Sequence, residues 1–536
     1  MKYIYPEKIS LSEGVKNAGA LLDRKTLQIG LSEQNTAVLT GPAFIVLDFG
    51  RELSGGVRIL THCAEGIRRV RLRFGESLTE TCAELGEKNA TNDHALRDME
   101  AELPDYSDMT LGGTGFRFIR MDVPEGGRVE IKAIVAVFDG DEREQPGCFE
   151  CDDPLVNEIW NTAAYTLRLC LKNGYFWDGI KRDRLVWVGD LYPEIKAALC
   201  LYGPVPETEN SLRLACEQTP LPEWMDGIPM YSMWWLIVLR ESFRLNGNRA
   251  FAEEYLPYIE GLLSQFEEAV DENGATHFAY NFIDWPTHYE PGGKEAKRRD
   301  ELAGVNYLLR VALKAAEEIL RALGRDGSRC ALLAERLSKS DCRAHTYKQI
   351  AALGVWAGEK TEEYRSLLLS GGATGMSTFM SYEILSACAA YGEYDAAMKM
   401  LKEYYGGMLA LGATTFWEDF APKWAENAAS VDELPRPGQK DVHGDCGAFC
   451  YKGFRHSLCH GWASGVIAYL SETVLGLVPE REYAAVRFQP HPGGLKYAKG
   501  VLPTPFGPVE AEWRVTENGA VEKRILKKPL EIEIIW

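Results

Sequence analysis

"CDDPLVNEIWNTAAYTLRLCLKNG", residues 151 to 174, is where the period of the chain changes. Leu155, Ile159, Ala163 and Leu167 recur at helical spacing behind an Asp-rich N-terminus, the pattern of a capped amphipathic helix. Upstream of it the runs are short and β-branched. "AFIVLDFG", "GVRILTHC", "RRVRLRFGE", "FRFIRMDVP" and "VEIKAIVAVF" are separated by Gly, Pro and Asp, a spacing that predicts an N-terminal β-sandwich over residues 1–147. A polar stretch opening "TETCAELGEKNATNDH" interrupts these runs as a loop or small helix reaching toward a neighbour.

Downstream, helix signals continue to about residue 475, at 190–202, 231–246, 250–270, 299–323, 327–338, 376–391, 393–405 and 456–475, without strands between them. Ten to twelve helices, counting shorter ones that the pattern does not delimit, joined by alternately short and long loops, predict a double-ring (α/α)6 toroid barrel over 148–478. No fixed repeat is visible, which disfavours a solenoid. Beyond "GLVPEREY" strands return, and "ENG" between "EAEWRVT" and "AVEKRIL" signals a hairpin. A small C-terminal β-domain is therefore expected over 479–536.

A chain of 536 residues has room for about three or four domains, and its net charge of −19 opposes binding to nucleic acid or an anionic membrane. A neutral or cationic partner fits better. The N-terminus lacks the pattern of a secretory signal, no apolar run is long enough for a membrane span, and thirteen Cys are scattered without pairing order. These features lead to the expectation of a cytoplasmic protein with reduced thiols. Cys148 and Cys151 in "CFEC" have knuckle spacing, but in a strand positions i and i+3 face opposite sides, so neither zinc nor any other metal or cofactor is expected. The sequence leaves the oligomeric state open, a homo-oligomer included.

Trp177, Trp187, Trp224, Trp234, Trp235, Trp285, Trp417 and Trp424 lie in the helical region, several with an acid nearby in sequence. Aromatic faces beside carboxylates suit a neutral carbohydrate: the rings lie on sugar C–H surfaces and the acids accept from hydroxyls. "DGIKRDRLVWVGD", residues 178 to 190, concentrates such groups; Arg182 and Arg184 favour ionised neighbours while Trp177 and Trp187 favour dry ones, a contrast that can separate carboxyl pKa values. "LGATTFWEDFAPKW" places Glu418 on a loop without helix period. In "GFRHSLCHGWASGV", His456 and His460 stand at i, i+4 on an expected helix and read as core histidines or substrate hydrogen-bond donors rather than metal ligands.

These segments resemble glycoside hydrolase family 78, the inverting α-L-rhamnosidases, in motif and order along nearly the whole chain. "DFGRELSGGVRI" and "RFGESL" are similar to the β-domain before that family's barrel, and "FECDDPLVNEIW" to the start of the barrel. "DGIKRDRLVWVGD" resembles its D-C-P-x-R-E-R-L-G-W-x-G-D signature, "GATTFWED" its G-A-T-T-x-W-E loop, "SLCHGWASG" its S-L-N-H-Y-x-x-G, and "FQPHPGGLKYAKGVLPTPFGPVEAEW" its C-terminal β-domain. The resemblance implies that Asp183 is the general acid and Glu418 the general base. It also implies that Asp178, Arg182, Trp187, Asp190 and His460 line the sugar subsite, with Trp234 or Trp235, Asp284 and Trp285 in its aromatic wall. Two departures stand out: Asp replaces the family's Glu at 183, and "GIK" replaces "CPx". The shorter acid implies a closer backbone or a different substrate.

The function expected is thus an exo-acting inverting glycoside hydrolase that releases terminal α-L-rhamnose from a small glycoside or oligosaccharide. The alternatives are a glycosidase for a related sugar, a lyase on the same barrel, and a non-catalytic sugar-binding protein on a degenerate one. A lyase acts on uronic acids and would want a basic subsite, which so acidic a chain does not advertise.

Overall fold

The computed structural model describes residues 2–288 and 294–536, apart from the Asn246 side chain. Seven antiparallel strands, β1 (Lys2–Ile4), β2 (Lys8–Lys16), β3 (Ala37–Gly66), β4 (Arg69–Gly75), β5 (Asp98–Glu102), β6 (Ser107–Val123) and β7 (Gly127–Phe138), build the N-terminal domain. They pair in the order β1-β7-β3-β6-β4-β5, with β2 also on β3. The sandwich pattern read from the run spacing is realised as one continuous hydrogen-bonded sheet, because the 30-residue β3 runs through both halves. Its first part pairs with β2, β6 and, at Ala37–Thr40, β7, and its second with β6 and β7. Register shifts near Asp48/Leu53 and Gly55/Val57 bend it around a core that includes Leu39, Leu47, Ile59, Phe74, Phe116 and Ile131. The polar interruption after β4 contains a five-residue helix, α1 (Leu78–Cys82), and an irregular segment before β5.

The central region is helical. α2 (Pro154–Cys170) starts where the period changes: Asp153 caps it through its side chain, which accepts from the Leu155 N–H at 3.0 Å, and Pro154 fits the first turn. After it come α3 (Leu191–Tyr202), α4 (Pro206–Gln218), α5 (Pro229–Asn246), α6 (Arg249–Glu254), α7 (Leu256–Glu268), α8 (Glu295–Ala322), α9 (Ser328–Leu337), α10 (Lys348–Trp356), α11 (Glu362–Leu369), α12 (Ser381–Ala390), α13 (Tyr394–Ala410) and the short α14 (Val466–Ala468). Packing runs from α3 to α5, α8, α10, α12 and α14 and returns to α3, closing a ring; α4, α9, α11 and α13 pack against ring members, and α2 joins α13 to α3. α3 is buried from Leu191 to Leu201, as an inner stave must be.

The sequence pattern missed in three places. The helix expected over 250–270 is two, since Pro257 opens α7 and cannot continue α6. The helix expected over 376–391 begins at Ser381. The helix expected over 456–475 is not one: after a 3-10 turn at Gly453–Arg455 the chain is extended at His456 and His460, then makes a 3-10 turn at Gly461–Gly465, α14, and a π turn at Tyr469–Val474. His456 and His460 therefore do not share a helix face.

At the C-terminus a three-stranded sheet holds Leu477–Glu480, Ala485–Phe488 and Glu533–Ile535. A four-stranded sheet holds Val521–Lys527, Val509–Val515, Tyr497–Leu502 and β8 (Cys148–Cys151). The expected hairpin is present, with Val515 opposite Val521. β8 makes residues 148–151 part of this sheet, ahead of α2. In β8, Cys148 is exposed and Cys151 buried, so the two point to opposite faces.

Candidate active site

Three loops at one end of the helical ring are knitted by backbone hydrogen bonds. The Gly461 N–H donates to the Asp178 carbonyl at 2.6 Å, the His460 N–H to Phe416 at 3.0 Å, and the Glu418 N–H to Ser457 at 3.0 Å. Gly179 and His460 form an antiparallel bridge. The approach at Gly461 admits no side chain, since a Cβ there would lie 1.8 Å from Glu194 Oε1. The extended course of 456–460 is thus what brings "SLCH" beside both "DGIKRD" and "FWED".

Between these loops lies a cavity of about 180 Å³. Asp178, Arg182, Asp183, Trp187 and Asp190 line it from the charged stretch, and Trp285, Glu418 and His460 line it from the others, so eight of the expected site residues meet there. Arg182 is its hub. Nη1 donates to Asp183 Oδ1 at 3.1 Å and Nη2 to Glu418 Oε1 at 2.7 Å, placing both expected catalytic carboxylates on one guanidinium. The Ser457 N–H donates to Glu418 Oε2 at 3.1 Å. Burial pushes Glu418 above the ordinary carboxylate range, while Arg182 and that N–H pull it back.

The remaining acids divide by what holds them. Asp178 accepts from the Asp183 N–H at 2.8 Å and the Leu185 N–H at 2.9 Å, so its carboxylate shapes the turn that presents Asp183; burial raises it to about 7. Burial raises Asp190 well above its usual value, with Asp178 and Glu418 adding to the shift. His460 is held well below the usual imidazole value, by burial first and the Arg182 charge second, and is neutral. Its Nε2 lies 3.9 Å from both Asp178 and Glu418, its Nδ1 lies 3.8 Å from Asp190, and its ring lies against Trp462 at 4.1 Å.

Three expected wall residues lie elsewhere. Trp234 is buried against Tyr192, Trp356 and Phe379, beneath the cavity floor formed by Trp462, which stacks on Phe379. Trp235, next along α5, turns away to Tyr255 and Tyr258, and its indole N–H donates to the Leu212 carbonyl at 3.1 Å. Asp284 caps the turn Trp285–Thr287, accepting from the Trp285 N–H at 2.8 Å and from the Ser377 hydroxyl, and sits behind the wall; burial raises it to about 7. In place of these three, Tyr231, Tyr280, Phe282, Trp462, Cys450 and Asp226 line the cavity. Tyr231 is three residues before Trp234 on α5, one turn nearer the cavity on the same side of the helix, so the resemblance found the helix but not the ring that lines the site.

Sequence reasoning also missed what the N-terminal domain brings. From the irregular segment before β5, His94 places Nε2 3.2 Å from Asp183 Oδ1. The Gly115 N–H donates to the Ile180 carbonyl at 3.0 Å, and a Cβ on Gly115 would meet Ile180 Cγ1 at 2.6 Å. Lys181, where the family has part of "CPx", buries its ammonium 2.9 Å from Glu76 and 3.3 Å from Glu80, and donates to the Phe454 carbonyl at 3.0 Å. Glu76 in turn accepts from the Leu458 N–H at 2.6 Å. His443 completes a cluster with Glu76 and Glu80 whose groups could hold a cation, and Lys181 supplies a positive charge to both carboxylates. The only sequence signal was the length and polarity of the interruption itself.

Residues 144–341 match the family model described as the bacterial alpha-L-rhamnosidase 6 hairpin glycosidase domain. An alpha-L-rhamnosidase of Alteromonas sp. (strain LOR) is 24% identical over 89% of this chain, which spans 54% of that protein. Among solved structures, a GH78 family rhamnosidase of Bacillus sp. GL1 superposes with a TM-score of 0.74 at 21% identity, covering 96% of this chain and 55% of that one. A rhamnosidase from Klebsiella oxytoca with rhamnose bound superposes with a TM-score of 0.63 at 20% identity, covering 81% of this chain and 88% of that one. The structural likenesses establish a shared fold. The family resemblance read from the motifs is to the same group of glycoside hydrolases that these comparisons return.

Proposed function

We propose that the protein is an exo-acting, inverting α-L-rhamnosidase whose active site is the mouth of an (α/α)6 barrel. The observation that carries the reading is the Arg182 hub: one guanidinium holds Asp183 and Glu418 at the edge of a cavity walled by Trp187, Trp285 and Tyr231. The closed ring of inner helices supports the toroid, and a cavity of about 180 Å³, well below the ~300–1,000 Å³ of drug-sized pockets, suits one terminal sugar ring.

In this mechanism Asp183 gives its proton to the glycosidic oxygen as the bond from C1 to that oxygen breaks. Glu418, ionised beside Arg182, takes a proton from a water on the opposite face, and that water's oxygen bonds to C1 with inversion. Asp190 and His460 bind ring hydroxyls, and the indoles of Trp187 and Trp285 cover the C–H faces.

The test is a panel of para-nitrophenyl glycosides, with NMR of the first-formed anomer. Release of L-rhamnose with inverted configuration is expected. Retention would replace the base by a nucleophile, and sugar binding without turnover of any glycoside would leave a binding protein on a degenerate barrel.

A further inference from the structure

Asp183 is one methylene shorter than the acid of the resembled family, and its carboxyl is held unevenly. Arg182 Nη1 donates to Oδ1 at 3.1 Å, and His94 Nε2 stands 3.2 Å from that same oxygen. No hydrogen bond reaches Oδ2 among the described residues. A carboxylic acid whose one oxygen accepts from a guanidinium and faces an imidazole nitrogen keeps its proton on the other. Oδ1 is therefore the carbonyl-like oxygen, and Oδ2 the one that carries the proton to be transferred.

We propose that His94, carried in by the N-terminal domain, is the positioning residue of the leaving-group acid, so that the acid is assembled from two domains. The proposal rests on the reading of Asp183 as the proton donor. The segment that carries His94 is fastened on both sides. Asn92 Oδ1 accepts from the Arg97 and Asp98 N–H groups, each at 2.9 Å, and closes the segment from within. From the barrel, Arg184 Nη1 donates to the His94 carbonyl at 3.4 Å and to Gly113 at 3.1 Å, and Arg455 Nε lies 3.6 Å from Asp93. Asp183 is the one polar partner of the His94 ring among the described residues, and the ring stays a third exposed.

The contact gains strength during the reaction. When Oδ2 passes its proton to the glycosidic oxygen, Asp183 becomes an anion, and an Nε2–H of His94 and the Arg182 guanidinium both stabilise the new charge. A donor that is imperfectly aligned in the free enzyme and tightens as charge develops acts on kcat rather than on KM.

The experiment compares wild type, His94→Ala and His94→Gln on methyl α-L-rhamnoside, whose leaving oxygen is strongly basic, and on para-nitrophenyl α-L-rhamnoside, whose phenolate departs unaided. Gln places an amide N–H near where Nε2–H stood. Both variants keep the same left-handed backbone at φ 66°, so any strain there is common to them. His94→Ala is expected to lower kcat on the methyl glycoside about 10- to 100-fold with KM little changed, to lower the nitrophenyl rate far less, and His94→Gln to recover most of the loss. Equal losses on both substrates, or no recovery in His94→Gln at an unchanged melting temperature, would overturn the positioning role while leaving the reaction intact. A wild type inert on both glycosides would overturn the reaction itself, and this role with it.

Discussion

In the proposed reaction Glu418 is the base, and a base must be both ionised and oriented. Glu418→Gln keeps the shape and can still accept from Ser457, but a neutral amide takes no proton from water. Turnover should be abolished with sugar affinity largely kept, as read by initial rates and isothermal titration; activity within tenfold of wild type would remove it from the role. Since the base works only when ionised, kcat/KM of the wild type should fall as pH drops through the Glu418 pKa. Burial places that limb above the ordinary glutamate value of about 4.3, and a pH–rate profile flat down to that value would contradict it. Asp183→Asn should lose about 10²–10⁴-fold on an alkyl glycoside and much less on a nitrophenyl one; equal losses would make Asp183 a substrate holder and shift attention to Asp190. The acids and Arg182, which the cavity brings together, were named through the resemblance of their segments, since ionisable groups dense beside indoles could by themselves have been a solvated face. The aromatic wall was less legible. Trp234, Trp235 and Tyr231 share α5, and only the packing of that helix decides which ring looks into the cavity.

At the level of elements, legibility followed amphipathicity. α2, α8 and α13 show a half-buried stripe and were read as helices, whereas the stretch around His460 is buried on every side from Ser457 to Leu470 and shows no polar face from which a period could be judged. Its i, i+4 histidines imitated a helix. What fixes the course of the chain there is contact at Gly461, under which the Glu194 carboxyl is fully buried with neither oxygen hydrogen-bonded among the described residues. Gly461→Ala must displace Glu194 or the Asp178–Gly461 hydrogen bond. It should cost about 1–3 kcal/mol in urea denaturation, as overpacked cores do, and should weaken sugar binding through His460. A variant as stable as wild type would show that Glu194 has room to move.

The whole molecule depends on how the N-terminal domain meets the barrel, and there the departure "GIK" finds its reason. Lys181 carries a cation into an interface where Glu76 and Glu80 are almost wholly buried, and Glu76 also holds the Leu458 backbone beside the Ser457 N–H that grips Glu418. Domain docking and base orientation therefore share one ammonium. Nothing in the sequence showed this, because the partners lie more than a hundred residues apart in the chain on one side and nearly three hundred on the other. Lys181→Met keeps the length of the side chain and removes the charge. Burial already raises Glu76 to about 7 against the opposition of Lys181, and without the ammonium its folded pKa rises further. A carboxyl whose pKa is higher folded than unfolded lends its stability below the unfolded value of about 4.3 and loses it as pH rises toward the folded one. The loss of stability in Lys181→Met should accordingly be smaller near pH 5 and larger by about 1–1.5 kcal/mol near pH 8, because a wild-type pKa of about 7 leaves one pH unit over which Glu76 is ionised in the wild type and protonated in the variant. Denaturation curves at the two pH values measure it, and adding Glu76→Gln should recover part of the loss at the higher pH. An equal penalty at both would mean that Lys181 only fills space between the domains.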